Sequence, residues 1–375
     1  MRLSIRTIRL LAIPIMFLAC FSCAGMTQQP GYKIPSPEEI GQSCNPKLDL
    51  PEFGNEFSCI FTNLIAHSWC ENGDWQGDLQ GDAAFFGPVI LYALWKDTGT
   101  PAYRYMADRT VEREISLVRR FYFFPVPNMD MAVGFPALAE AYKATGNEKC
   151  LSIYVSGVKT GSMLASFCPG IFTPFVYDKA SVYGTVSTMS LQAYELTGDE
   201  SFKIRGLALI AAADRTCWKG NEGVYAYEKL ADWSQATMMI TLVKAYRITG
   251  DHAYLDRCFR LITSMDDRYW DKQKGGYFNH DSPTMKSLSG NNTFAWAFLD
   301  LYEATGKRIY LDKTREILGW IFSDDLYDRK SCIIHHDWDA KSGRADMCCT
   351  GCNFHTLCII YRLNKLSISP PPSIR

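Results

Sequence analysis

Residues 346–355 read DMCCTGCNFH and crowd more reactive side chains together than any other stretch of the chain. Cys348, Cys349 and Cys352 fall within five positions, and His355 follows three beyond the last. Four roles fit these residue types. Cys349 and Cys352 form C-x-x-C, and His355 adds a ligand at helical spacing from Cys352. With His335 or His336 they could fill a tetrahedral zinc site. The same sulfurs could close a disulfide among themselves or to Cys332. A thiolate at a helix N-terminus, its pKa lowered there, could act as a nucleophile. The fourth role is that of buried structural cysteines, which behave as small hydrophobes. The sequence leaves all four open. Nothing else in it calls for a cofactor, so zinc at Cys349, Cys352 and His355 is the single candidate.

The redox setting bears on that choice. Arg2, Arg6 and Arg9 precede the apolar run LLAIPIMFLA. Ten apolar residues are too few to cross a bilayer and suit a signal h-region. Small residues directly before Cys20 and Cys23 resemble a bacterial lipobox. Residues 1–23 are therefore read as a signal peptide, with Cys20 or Cys23 the lipidated first residue of the mature protein. An ordinary signal cut near Ala24 is the alternative. Either way the protein is expected to be exported, and the lipobox would anchor it to a membrane in the periplasm or at the cell surface. Residues 24–55, rich in Gln, Pro, Ser and Gly, read as a tether. An oxidising compartment permits disulfides, but the other cysteines are irregularly spaced through a long chain, unlike a disulfide-stapled miniprotein.

The chain has 375 residues, 47% of them hydrophobic, enough for a large core. Its net charge is −1 with the signs well mixed, which excludes the basic footprint of a nucleic-acid binder. Nine Trp, 20 Tyr and 21 Phe fit a thick core or an aromatic-lined cleft.

One phrase organises everything after the tether. It appears as ALWKDTGTPAY, EAYKATGNEKC, QAYELTGDESF, KAYRITGDHAY and DLYEATGKRIY. The Thr-Gly pairs end at Gly99, Gly146, Gly198, Gly250 and Gly306, a repeat of roughly 50 residues. Each phrase closes an apolar helix, with Gly in the left-handed position that ends one. A second, amphipathic helix follows, as in AYLDRCFRLITSMDDRYW. Each unit is thus a helical hairpin with an inner helix, an outer helix and a return loop. Five such hairpins and a final apolar helix in FHTLCIIYRL predict an all-α closed ring over residues 56–368.

This pattern resembles the (α/α)6 toroids, above all the six-hairpin glycosidase-like superfamily. The resemblance implies inner and outer rings of helices, with a substrate cleft at the N-termini of the inner helices. It also implies carbohydrate chemistry, although hydrolases, lyases, epimerases and terpene cyclases share such toroids. The aspartate-rich motif of terpene cyclases is not evident.

Sixteen residues of helix span about 24 Å. Counting that far back from each Gly reaches the expected rim. The counts arrive at Ala83, beside Asp82 and near Asp78 and Trp75; at Asp130; at Val182, beside Tyr183; at Ser234, beside Trp233 and Asp232; and at Gly290, beside Asn291 and Asn292. In the sixth helix Lys365 takes the place of Gly, and the count lands on Cys349. DMCCTGCNFH therefore belongs to the same rim. Carboxylates and amides bind sugar hydroxyls and aromatic rings stack on pyranose faces. Asp, Asn and Ser are also preferred helix N-caps, which would account for the same residues without function.

The expected function is an exported carbohydrate-active enzyme, a glycoside hydrolase acting on oligo- or polysaccharide fragments. Two carboxylates would flank the bond, one as acid and one as base or nucleophile. Asp130, Asp232 and Asp82 are the catalytic candidates. Asp78, Trp75, Tyr183, Trp233, Asn291, Asn292, His335 and His336 are the candidate substrate contacts. The alternatives are a noncatalytic glycan-binding scaffold, a lyase or epimerase using rim His or Tyr, and a zinc- or thiol-dependent glycosidase built on Cys348–His355. The Cys348–Cys349 pair is a little like that of the zinc-dependent β-L-arabinofuranosidases, but no glutamate stands beside it.

Overall fold

The computed structural model describes residues 48–76, 83–121, 129–167, 179–226, 232–280 and 282–369. Twelve helices lie among them. They are α1 (Gly54–His67), α2 (Ala83–Thr98), α3 (Pro101–Phe121), α4 (Met129–Thr145), α5 (Glu148–Phe167) and α6 (Lys179–Thr197). The rest are α7 (Glu200–Thr216), α8 (Asp232–Thr249), α9 (His252–Tyr269), α10 (Leu288–Thr305), α11 (Ile309–Ile321) and α12 (Thr350–Ile368). Even-numbered helices form the inner ring and odd-numbered helices the outer one. In α12 every residue from Thr350 to Ile360 is buried. In α9 burial is confined to one stripe, Leu255, Cys258, Leu261, Ser264 and Met265. The expected all-α (α/α)6 toroid is the observed architecture. No helix of the described residues is long and apolar enough to cross a membrane.

The repeated phrase has a common local cause. Gly99, Gly146, Gly198, Gly250 and Gly306 all adopt φ between 67° and 72°, a region that costs a side-chain-bearing residue energy and glycine little. Each glycine N–H donates to the carbonyl of the aromatic residue four before it, as Gly250 does to Tyr246 at 2.7 Å. The preceding threonine works in both directions. Thr249 Oγ1 donates to Ala245 O and accepts from the Asp251 N–H. Asp251 then caps α9 by accepting from Ala253 N. Lys365 allows no such turn, and α12 runs past it to Ile368.

The sixth hairpin is assembled from both ends of the described chain. α12 supplies its inner helix, and α1 packs against it as the outer one. A disulfide from Cys59 of α1 to Cys332 ties that helix to the last return loop. The residues before α1 are docked as well. Arg315 grips the Glu52 carboxylate at 2.6 and 2.9 Å, and the Asn364 amide brackets the Glu52 backbone. The C-terminal end of the expected tether thus lies against the ring wall.

Short antiparallel hairpins fill the return loops. β1 (Trp218–Lys219) pairs with β2 (Val224–Tyr225), and β4 (Tyr327–Asp328) with β5 (Ile333–Ile334). A three-stranded sheet joins β3 (Met285–Ser287), β6 (Asp337–Asp339) and β7 (Gly343–Arg344). Three hairpins are clamped to the next inner helix by a buried amide. Gln235 brackets Tyr225 N and O, Asn291 brackets Tyr277 N and O, and Asn353 brackets Ile334 N and O.

A circuit of polar contacts joins the C-terminal halves of all six inner helices. Lys96 of α2 reaches Lys143 O of α4, and Gln192 of α6 reaches Glu140 of α4. Lys244 of α8 pairs with Glu195 of α6, and Arg247 of α8 with Glu303 of α10. Arg362 of α12 pairs with Asp300 and Glu303 of α10. Tyr361 and Lys365 of α12 close the circuit on Asp97 of α2.

Candidate active site

The polar circuit ties the C-terminal halves of the inner helices together at one end of the ring, and their N-termini gather at the other. Inner helices have neighbours on both sides and outer helices behind them. Their partly exposed stripe therefore faces the axis. On α8 that stripe is Trp233, Ile240 and Lys244, and on α10 it is Ser289, Thr293, Trp296, Asp300 and Glu303. These positions are three, four or seven residues apart, one face of a helix. Its lower part carries the charged circuit, and its upper part carries hydroxyls and aromatics.

Trp296 fixes the level of the floor. The Arg362 guanidinium lies 5.0 Å from its ring centre on the closed side. His355 lies 5.5 Å away and Phe86 6.1 Å away. His355 stacks on Phe86, with centroids 3.8 Å apart and planes 9° apart. Its Nε2 is buried and has no hydrogen-bond partner among the described residues. Burial among these rings lowers its pKa to about 3, so the imidazole stays neutral at ordinary pH. A neutral imidazole in such a place can accept or donate one hydrogen bond to a ligand atom without carrying charge.

The rim lies where the sixteen-residue count placed it. The inner helices begin at Ala83, Met129, Lys179, Asp232, Leu288 and Thr350, within three residues of the counted positions. Asp130 is the second residue of α4 and Asp232 the first of α8. Both therefore sit at inner-helix N-termini. Their side chains, and all of Asp78 and Asp82, lie outside the described residues.

The other expected contacts divide. Trp233 is half-buried at the start of the α8 stripe. Tyr183 is buried in α6. Trp75 is buried edge-on to Phe354 with its face against Gly87, as part of the wall. Asn291 is one of the three amide clamps, and its Nδ2 also reaches Ser287 O. Asn292 bridges α10 to α12 through Cys352 O and Thr356 Oγ1. These two amides hold the wall together through buried hydrogen bonds. Their rim position was readable from sequence, but their direction was not, because a clamp and a ligand contact demand the same residue type.

The last return loop brings both histidines and the cysteines together. His335 and Cys348 form an antiparallel bridge. His335 Nδ1 lies 2.9 Å from Ala345 O, and His336 Nδ1 lies 2.9 Å from an Asp337 carboxylate oxygen. Cys349 caps α12 by accepting from Cys352 N at 3.0 Å, and the two sulfurs are joined as a disulfide. Cys332 pairs with Cys59 and not with this cluster. His355 lies on the Phe86–Trp296 floor, and the histidine whose ring nitrogen converges with the two sulfurs is His336. Sequence spacing favoured His355 because helical neighbours are visible along a chain, whereas a return loop folding back is not.

No protein-family description matches the chain, and no curated protein matches it in sequence. Solved structures match it in shape. A cellobiose 2-epimerase from Bacillus thermoamylovorans superposes with a TM-score of 0.66 at 14% identity, over 84% of this chain and 98% of that one. A D-mannose isomerase gives 0.62 at 12%, over 84% and 98%. A family 76 α-mannanase from Bacteroides thetaiotaomicron gives 0.61 at 11%, over 88% and 98%. What the chain shares with all three is the fold, an (α/α)6 toroid.

Proposed function

We propose that the protein is an exported, lipid-anchored carbohydrate-active enzyme that hydrolyses glycosidic bonds in oligo- or polysaccharide fragments. One observation carries the reading. The ring is bound together at one end by the charged circuit, and its opposite end gathers the inner-helix N-termini bearing Asp130 and Asp232. Asp82 immediately precedes a third. Trp233 and Trp296 on the axial stripe supply flat faces for sugar rings. The solved structures of like fold bear the names of a mannanase, an unsaturated glucuronyl hydrolase, an epimerase and an isomerase, all acting on sugars. The Cys59–Cys332 and Cys349–Cys352 disulfides fit an oxidising compartment. Anchoring through Cys20 or Cys23 would keep the enzyme at a membrane while the ring meets soluble fragments.

In this reading Asp130, Asp232 and Asp82 divide the roles of acid and base around the scissile bond. The test is a screen of the purified protein on plant and bacterial polysaccharide fragments, followed by Asp130→Asn and Asp232→Asn. New reducing ends that fall at least a hundredfold in either variant support the assignment. Unchanged turnover in both overturns it.

A second reading rests on His355. A buried, neutral imidazole whose Nε2 has no hydrogen-bond partner among the described residues suits hydrogen bonding to a sugar carbonyl, as in isomerisation or epimerisation. The same screen separates the two. Hydrolysis raises the number of reducing ends, whereas isomerisation changes the sugar and leaves that number constant.

A further inference from the structure

The cysteine cluster is not used by either reading. A ring nitrogen of His336 and the sulfurs of Cys349 and Cys352 all lie within 4.8 Å of one another. Both cysteines are buried, and the His336 side chain is nearly so. Among the described residues this is the group of three whose ligand atoms converge closely enough to hold a metal ion.

The backbone builds this arrangement. His336 N donates to Met347 O at 2.9 Å, and Leu288 N donates to His336 O at 2.7 Å. The His335–Cys348 bridge lies alongside. Histidine and cysteines therefore sit on two segments locked in register, with the cysteines on the first turn of α12. The Asp337 carboxylate lies 2.9 Å from His336 Nδ1 and places a negative charge beside the imidazole, while that buried nitrogen makes no hydrogen bond among the described residues. The Cys352 N–H already points at Cys349 Sγ at 3.0 Å, a donor that would stabilise a thiolate there.

We propose that His336, Cys349 and Cys352 form a zinc site that the Cys349–Cys352 disulfide closes and its reduction opens. A dithiol reductant gives two electrons and two protons to the disulfide and itself becomes a disulfide. Two cysteine thiols result. Zinc then displaces both thiol protons and takes two Zn–S bonds and one Zn–N bond. Such ligand atoms stand roughly 3.4–3.8 Å apart in a tetrahedral site, so the sulfurs separate modestly from their disulfide distance while His336 remains in reach. The fourth position is left to water. The inference does not depend on the glycosidase reading, because metal uptake is measured without substrate.

The experiment is zinc titration of the full exported chain against a chromophoric chelator, with the protein oxidised and after reduction by a phosphine. Cobalt titration reports thiolate ligation through its near-ultraviolet charge-transfer band. The expected result is one metal per chain in the reduced protein and none in the oxidised one. His336→Ala should weaken uptake at least tenfold, and Cys349→Ser with Cys352→Ser should abolish the cobalt band. Circular dichroism checks that each variant remains folded. Equal uptake in both redox states overturns the gate. Uptake unchanged in His336→Ala, or no uptake after reduction, overturns the site.

Discussion

The imidazole of His355 lies flat on the ring of Phe86, 3.8 Å between centroids, with Trp296 beside both. This contact joins α2, α10 and α12 at the floor of the ring and removes the imidazole from water.

The first expected outcome concerns pH. The folded pKa of His355 is lowered from 6.5 to about 3 by burial. The unfolded chain therefore binds a proton below about pH 6.5 that the folded chain refuses. The associated stability is complete above that pH and is lost as pH falls towards 3. Between pH 7.5 and pH 5 the loss is about 2 kcal/mol. Denaturant unfolding of the protein and of His355→Phe at both pH values checks this. The variant should lose less by that amount, and parallel losses would show that His355 titrates normally.

A second outcome concerns Asn291. Its amide makes three buried hydrogen bonds, accepting from Tyr277 N and donating to Tyr277 O and Ser287 O. Asn291→Ala leaves those backbone groups unpaired and should cost about 2–4 kcal/mol. Asn291→Asp should keep the accepting half and lose the donating one. Thermal unfolding measures the loss. If Asn291 instead contacted substrate, stability would be nearly unchanged and KM would rise.

The ring was legible in the sequence because its determinants are local. A Thr-Gly phrase fixes a helix end through contacts within a few residues, so Gly99 to Gly306 reveal the hairpins and their phase. Helix α1 carries no such phrase, and its place beside α12 comes from a long-range closure that neither end announces. At the rim, Cys349 was placed correctly as the start of the sixth inner helix. Asn291 was placed at the correct level, yet its amide turns to the Tyr277 backbone. The His336–cysteine convergence depends on a return loop pairing with the Met347–Cys348 segment before α12. Residue type and level along the helix can be read from sequence, whereas the direction of a side chain is set by tertiary neighbours.

A third outcome tests the phrase itself. Gly250 sits at φ 72°, and a Cβ added there would meet nothing within 4 Å. Gly250→Ala should therefore cost only the left-handed backbone penalty, about 1–2 kcal/mol. Gly206 differs, because its Cβ would come within 2.8 Å of Leu191. Gly206→Ala should cost more by crowding α6 against α7. Paired unfolding measurements give the order, and a reversal would show that α6 and α7 can separate freely.

The last outcome concerns the charged circuit. Arg362 bonds Asp300 and Glu303, and its side chain is mostly buried beneath Trp296. Lys365, one turn further along α12, pairs with Asp97 from a side chain about half exposed. The two pairs look alike on paper and differ in what water can repair. Removing Arg362 strands the largely buried Asp300, while Glu303 keeps Arg247, and should cost about 3 kcal/mol. Removing Lys365 leaves Asp97 bonded to the Tyr361 hydroxyl and open to solvent, at a cost of at most about 1 kcal/mol. Arg362→Met, which retains much of the stem packing on Trp296, isolates the charge from the packing. Unfolding in low and high salt completes the test. The Lys365→Ala effect should shrink with salt while the Arg362→Met effect persists, and equal small losses would show that the ring's closed end is held by apolar packing and not by its charges.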